Sequence, residues 1–153
     1  MGFYDAEKIG LTVGTIFLIP ASVSDIRQRS VSRRLLIAGA AAAVSAAAFS
    51  VITGNRDAEN VLLSLFPGAL LLLSSRLTEG KVGIGDGCSL LVYGTAAGAG
   101  GALLTSAAGL FLTALTGLVL MAVKKAEKDT RLPFLPFCLA ASVGVLIAAE
   151  AGA

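Results

Sequence analysis

Gly83-Ile84-Gly85-Asp86 opens a stretch with no further charge until Lys124. A helix crossing the hydrocarbon core of a bilayer needs about 20 apolar residues, within a range of about 17–25. The interval from Asp86 to Lys124 is too long for one span and long enough for two. Gly98-Ala99-Gly100-Gly101, inside it, is where a tight turn is expected. A single long kinked helix is the other reading of the same residues. Either way the stretch predicts an all-α membrane protein, because a helix satisfies its own backbone hydrogen bonds in lipid.

The rest of the chain agrees. Hydrophobic residues make up 56% of it, charged ones 14%, and the mean hydropathy is +0.85. Soluble domains carry about 25% charged residues, so these 153 residues hold too little polar surface to coat one. Six apolar segments can be marked: Ile9–Ser24, Leu35–Thr53, Val61–Ser75, Asp86–Gly98, Ala102–Val123 and Leu132–Ala149. The first, third and fourth are short for a span and need flanking residues or a locally thinner bilayer. The expectation is one integral-membrane domain over residues 1–153, a polytopic bundle of six transmembrane helices.

Cations orient it. Arg27, Arg29, Arg33 and Arg34 share one loop, Arg76 and Lys81 a second, and Lys124, Lys125, Lys128 and Arg131 a third. Only Lys8 and Arg56 fall on the opposite side. Cytoplasmic loops carry the excess of Lys and Arg, so both termini are expected outside. The acids divide evenly between the sides and do not sort the loops. The N-terminal residues include Asp5 and Glu7 rather than a basic run, so no cleavable signal is expected. Small faces at Gly10 and Gly14, at Gly94 and Gly98, and along Ala40–Ala43 read as helix packing within one bundle. The oligomeric state is left open.

Several chemistries drop out. The chain has no histidine, which removes Ser-His and Cys-His nucleophile pairs and H-E-x-x-H metal sites. Cys88 and Cys138 lie in apolar segments and read as small core residues, not as a disulfide or a zinc site. The G-x-G-D follows a polar loop rather than a strand, so a dinucleotide site is not expected. The cations lack interleaved aromatic platforms and Trp is absent, which argues against a nucleic-acid partner. A Ser-Lys dyad from Ser74 or Ser75 with Lys81 has nothing to place it in a pocket.

A carboxylate pair remains. Asp25 ends the first span and Asp86 opens the fourth, on the same membrane face. An ionisable side chain at a membrane span is expensive and calls for a functional reason. Two close carboxylates hold one proton between them and titrate as a unit. One can then take a proton from water while the other polarises a carbonyl and protonates a leaving amine. Gly83 and Gly85 remove side chains beside the second acid and open access to it. Arg27 and Lys81 flank the pair as candidate substrate or lipid contacts. The ordinary alternatives are a solvated interfacial charge for Asp25 and a helix N-cap for Asp86. A small proton- or ion-coupled transporter subunit could use the same acids as a relay, and an inactive scaffold would not use them at all.

Asp25-Ile26-Arg27 with Val31 and Arg33, then Gly83-Ile84-Gly85-Asp86, then Leu132-Pro133-Phe134-Leu135-Pro136-Phe137 together resemble the type IV prepilin peptidases, intramembrane aspartyl proteases with a G-x-G-D motif. The resemblance covers nearly the whole chain. It implies that Asp25 and Asp86 are the catalytic pair. It also implies that the substrate is a prepilin-like precursor whose basic leader is cleaved after a glycine at the cytoplasmic face of the inner membrane, with no metal or organic cofactor. Longer members add a methyltransferase region with a cysteine tetrad, so the resemblance is to the short, cleavage-only members. Two positions depart from the pattern. Val31-Ser32-Arg33 stands where Ile-Pro-Asn is frequent, and Cys88 where a Lys often follows the second acid.

Overall fold

The computed structural model describes residues 3–28, 30–78, 83–123 and 132–151. Nearly all of them are helical, and no strand occurs among them. Six helices follow in order: α1 (Phe3–Gln28), α2 (Arg33–Ile52), α3 (Ala58–Ser64), α4 (Phe66–Leu77), α5 (Ile84–Ala122) and α6 (Leu135–Ala151). By length and composition four stretches could cross a membrane: Lys8–Gln28, Arg33–Ile52, Ala58–Leu77 and Ile84–Ala122. α6 is apolar but shorter.

The bundle is apolar outside as well as in its core. Ile16, Ile37, Leu104, Phe111 and Leu118 face outward. The interior holds many alanines and buried hydroxyls such as those of Ser64, Thr105 and Ser142. Large apolar side chains on the outside suit lipid, while small residues inside let helices approach closely where water supplies no driving force.

Local sequence explains the helix ends. Ser32 caps α2 from an extended backbone, its side chain accepting a hydrogen bond from the Leu35 N–H at 3.3 Å. It stands where the prepilin-peptidase pattern has proline, and both residue types favour a helix start. α3 and α4 meet at Leu65 and Pro67 sits in the first turn of α4, where its missing N–H is not needed. This rod lies close against α5. A Cβ on Gly68 would come within 2.6 Å of the Leu91 nitrogen, and one on Gly87 within 2.7 Å of the Leu72 side chain. Gly10 and Gly14 of α1 lie against Ala96 and Tyr93 of α5. The small faces on α1 thus pack within the bundle.

α5 is broken at Gly98, whose φ of 80° and ψ of 174° are not helical. The Tyr93 and Thr105 hydroxyls are hydrogen-bonded at 2.8 Å across the break. In an unbroken helix those residues would be separated by about 18 Å along the axis. The chain therefore folds back at Gly98, as expected for a tight turn.

A break inside an apolar rod frees backbone groups that lipid cannot satisfy. Arg56 of the α2–α3 link and Asn60 of α3 take them up. Arg56 Nη1 donates to the Ala96 carbonyl at 2.8 Å and to that of Thr95 at 3.4 Å, and Asn60 Oδ1 accepts from the Ala99 N–H at 3.1 Å. From the sequence Arg56 is a far-side loop charge; in the fold it is a buried brace.

Candidate active site

Asp25 lies in the last turn of α1 and Asp86 in the first turn of α5. α1 and α5 run antiparallel, since Gly14 meets Tyr93 while Gly10 meets Ala96 further along α5. The end of one helix is thereby set beside the start of the other. The two acids, far apart in sequence, come within electrostatic reach of each other.

Asp25 is 6% exposed. The reading of it as a solvated interfacial charge is thereby overturned. Its Oδ2 accepts a hydrogen bond from the backbone N–H of Leu135 at 3.1 Å, and the Phe134 N–H also donates to the carboxylate. Leu135 is the first residue of α6. Asp25 thus caps a helix from another part of the chain, where orphan N–H groups and the positive end of the helix dipole favour an anion.

Asp86 is half-buried. It is not the cap of α5: the N-cap position is Gly83, in extended conformation, and Asp86 is the third helical residue. Its N–H donates to the Gly83 carbonyl at 3.1 Å. Its carboxylate folds back over the same residue, so a Cβ on Gly83 would sit 2.8 Å from Oδ2. A side chain at Gly83 would therefore shift the Asp86 carboxylate from its present place. Gly85 is under no such demand, because a Cβ there would meet only Val31, at 3.6 Å or more.

The charges of both acids reach Cys138, fully buried one turn into α6 and packed against Gly109. Cys88 is only half-buried. Arg27 is exposed in the last turn of α1, beside the site. Lys81 lies outside the described residues. No three His, Cys, Asp or Glu side chains among the described residues are grouped to hold a metal ion.

Sequence reasoning missed what α6 contributes. Neither the capping of its first N–H groups by Asp25 nor the place of Cys138 beside the pair was read from the residues. The available signal was the proline pair Pro133 and Pro136, which marks a helix start without saying which acid meets it.

No curated protein and no solved structure matches the chain. The family model for the type IV leader peptidase family matches residues 12–123, a stretch that contains Asp25, the G-x-G-D and Asp86. With that match over most of its length, and with both acids at one end of a helical bundle, the chain belongs to the type IV leader peptidase family.

Proposed function

We propose that the protein is a leader peptidase that hydrolyses pilin-like precursors at the cytoplasmic face of the inner membrane, with Asp25 and Asp86 as its catalytic pair. What supports this reading is that Asp25, in the last turn of α1, and Asp86, in the first turn of α5, lie at the same end of two antiparallel helices. When the two carboxylates come together, they hold one proton between them. The ionised member takes a proton from a water molecule, whose oxygen attacks the scissile carbonyl. The protonated member hydrogen-bonds that carbonyl oxygen and then protonates the leaving nitrogen as the C–N bond breaks. The roles belong to the pair rather than to a fixed member of it.

The whole chain acts as one membrane domain in this reading. α1, α2, the α3–α4 rod, the two arms of α5, and α6 are its six spans, with both termini outside. Ten of its twelve Lys and Arg residues fall in or next to the three sequence segments that follow the first, third and fifth spans, which sets that side in the cytoplasm. A pilin-like precursor brings a basic leader and a membrane helix to that depth. Gly83 leaves room for the Asp86 carboxylate and Gly85 for the substrate backbone, and the basic loops hold anionic lipid.

The test is cleavage of a synthetic precursor, with a basic leader, a glycine at the junction and an apolar helix, by the purified protein in micelles. Cutting after the glycine is expected, with a bell-shaped pH profile because one acid must be charged and the other protonated. Proton flux in liposomes without any cleavage would overturn this in favour of a relay transporter.

A further inference from the structure

Two hydroxyls inside the bundle break a pattern that the others keep. Buried serines and threonines here find partners: Thr15, Ser50, Ser64, Ser106 and Ser142 bond to a carbonyl of the preceding turn, and Thr105 bonds to Tyr93. Ser75 also has a partner. Among the described residues, the exceptions are Ser22 and Ser89, 3% and 0% exposed, whose Oγ atoms meet no hydrogen-bond partner. A buried polar atom left unpaired in an apolar interior is costly, and it marks a place where a water or ion belongs.

Their positions are related. Ser22 precedes Asp25 by one helical turn, and Ser89 follows Asp86 by one turn. Residues three apart share a helix face, so each hydroxyl lies below its acid, toward the centre of the bundle. The antiparallel register that sets Gly14 against Tyr93 brings Ser22 to about the depth of Asp86 when carried back along both rods. The titratable groups within electrostatic reach of the acids are the acids themselves and, from α6, Cys138.

We propose that Ser22 and Ser89 are positioning residues of the aspartate pair, their hydroxyls holding a buried water that hydrogen-bonds the Asp86 carboxylate from the bilayer side. This inference rests on the peptidase reading above. A hydroxyl can donate to a water and accept from it, and a water commonly makes about three such bonds. The water fixes the carboxylate in the orientation that shares a proton with Asp25. Ser22 and Ser89 touch no substrate; they act through the acids.

The experiment compares the wild type with Ser22→Ala, Ser89→Ala and the double variant, measuring kcat, KM, the pH profile and thermal stability in micelles. The double variant is expected to lose about tenfold in kcat, the low end of what outer-shell partners contribute. KM should hold, the acid limb of the pH profile should be displaced, and the melting temperature should stay level or rise. Unchanged kcat and pH profile would overturn the proposal. So would a fall in melting temperature with an unmoved pH profile, which marks a structural role only. Asp25→Asn and Asp86→Asn, run in parallel, separate the two readings. Inactive Asp variants beside unchanged Ser variants reject this inference alone, whereas fully active Asp variants reject the catalytic pair itself.

Discussion

Asp86→Asn is expected to stop leader cleavage while the bundle remains assembled. The amide keeps the volume of the carboxylate, so it fits the space over Gly83 where the acid now lies. It cannot exchange a proton with Asp25, so neither water activation nor protonation of the leaving nitrogen proceeds. A single general acid–base group contributes about 10²–10⁴ in rate. Here one pair serves both steps, so a loss of about 10⁴ is expected.

Asp25→Asn should be equally inactive, and comparison with Asp25→Ala separates chemistry from structure. Asparagine still offers an oxygen to the Leu135 N–H that Asp25 accepts from at 3.1 Å. Alanine leaves the first N–H groups of α6 without their acceptor, which costs about 1–2 kcal/mol at a helix N-terminus. The expected result is two inactive proteins, of which only Asp25→Ala melts earlier. Quantified cleavage of a precursor peptide and thermal unfolding monitored by gel filtration read the two effects. Wild-type cleavage by Asp86→Asn would remove the acid pair from the mechanism.

The second large effect is structural and lies at the far end of α5. Gly98→Ala should destabilise the bundle by about 2.5–6 kcal/mol, from two sources. The backbone at φ 80° and ψ 174° is open essentially to glycine alone, worth about 1–3 kcal/mol. The added methyl would also fall 2.9 Å from Cζ of Arg56. It would push the guanidinium off the Ala96 carbonyl, and a hydrogen bond from a charged group is worth about 1.5–3 kcal/mol. Against a typical total stability of about 5–15 kcal/mol the loss is large. Gly144→Ala in α6 is the control, since nothing lies within 4 Å of the added carbon, and it should stabilise slightly through helix propensity. Equal melting temperatures for the two variants would contradict the folded-back geometry at Gly98.

Much of this was legible in the residues because it is local. Apolar runs between charged loops mark helices, and Gly98-Ala99-Gly100-Gly101 in an uncharged stretch marks a turn. Counting cations put Asp25 and Asp86 on one membrane side; whether they face each other depended on the first and fourth spans being neighbours, which topology alone does not say. What was not legible depends on rotation and register between distant rods. Nothing near Asp25 in sequence says that its acceptor atoms face α6. Nothing near Arg56 says that it turns inward to brace a break some forty residues on. Asp86 can be read as a helix cap until Gly83 is seen to stand at that position.

The bond from Asp25 to α6 has a consequence for biosynthesis. Its donor, Leu135, leaves the ribosome 110 residues after the acceptor, a delay of about 5–20 s at about 5–20 residues per second. Throughout that delay the early acid lacks the late amides that hold it. The surroundings that Asp25 has in the folded bundle are therefore complete only once α6 has docked.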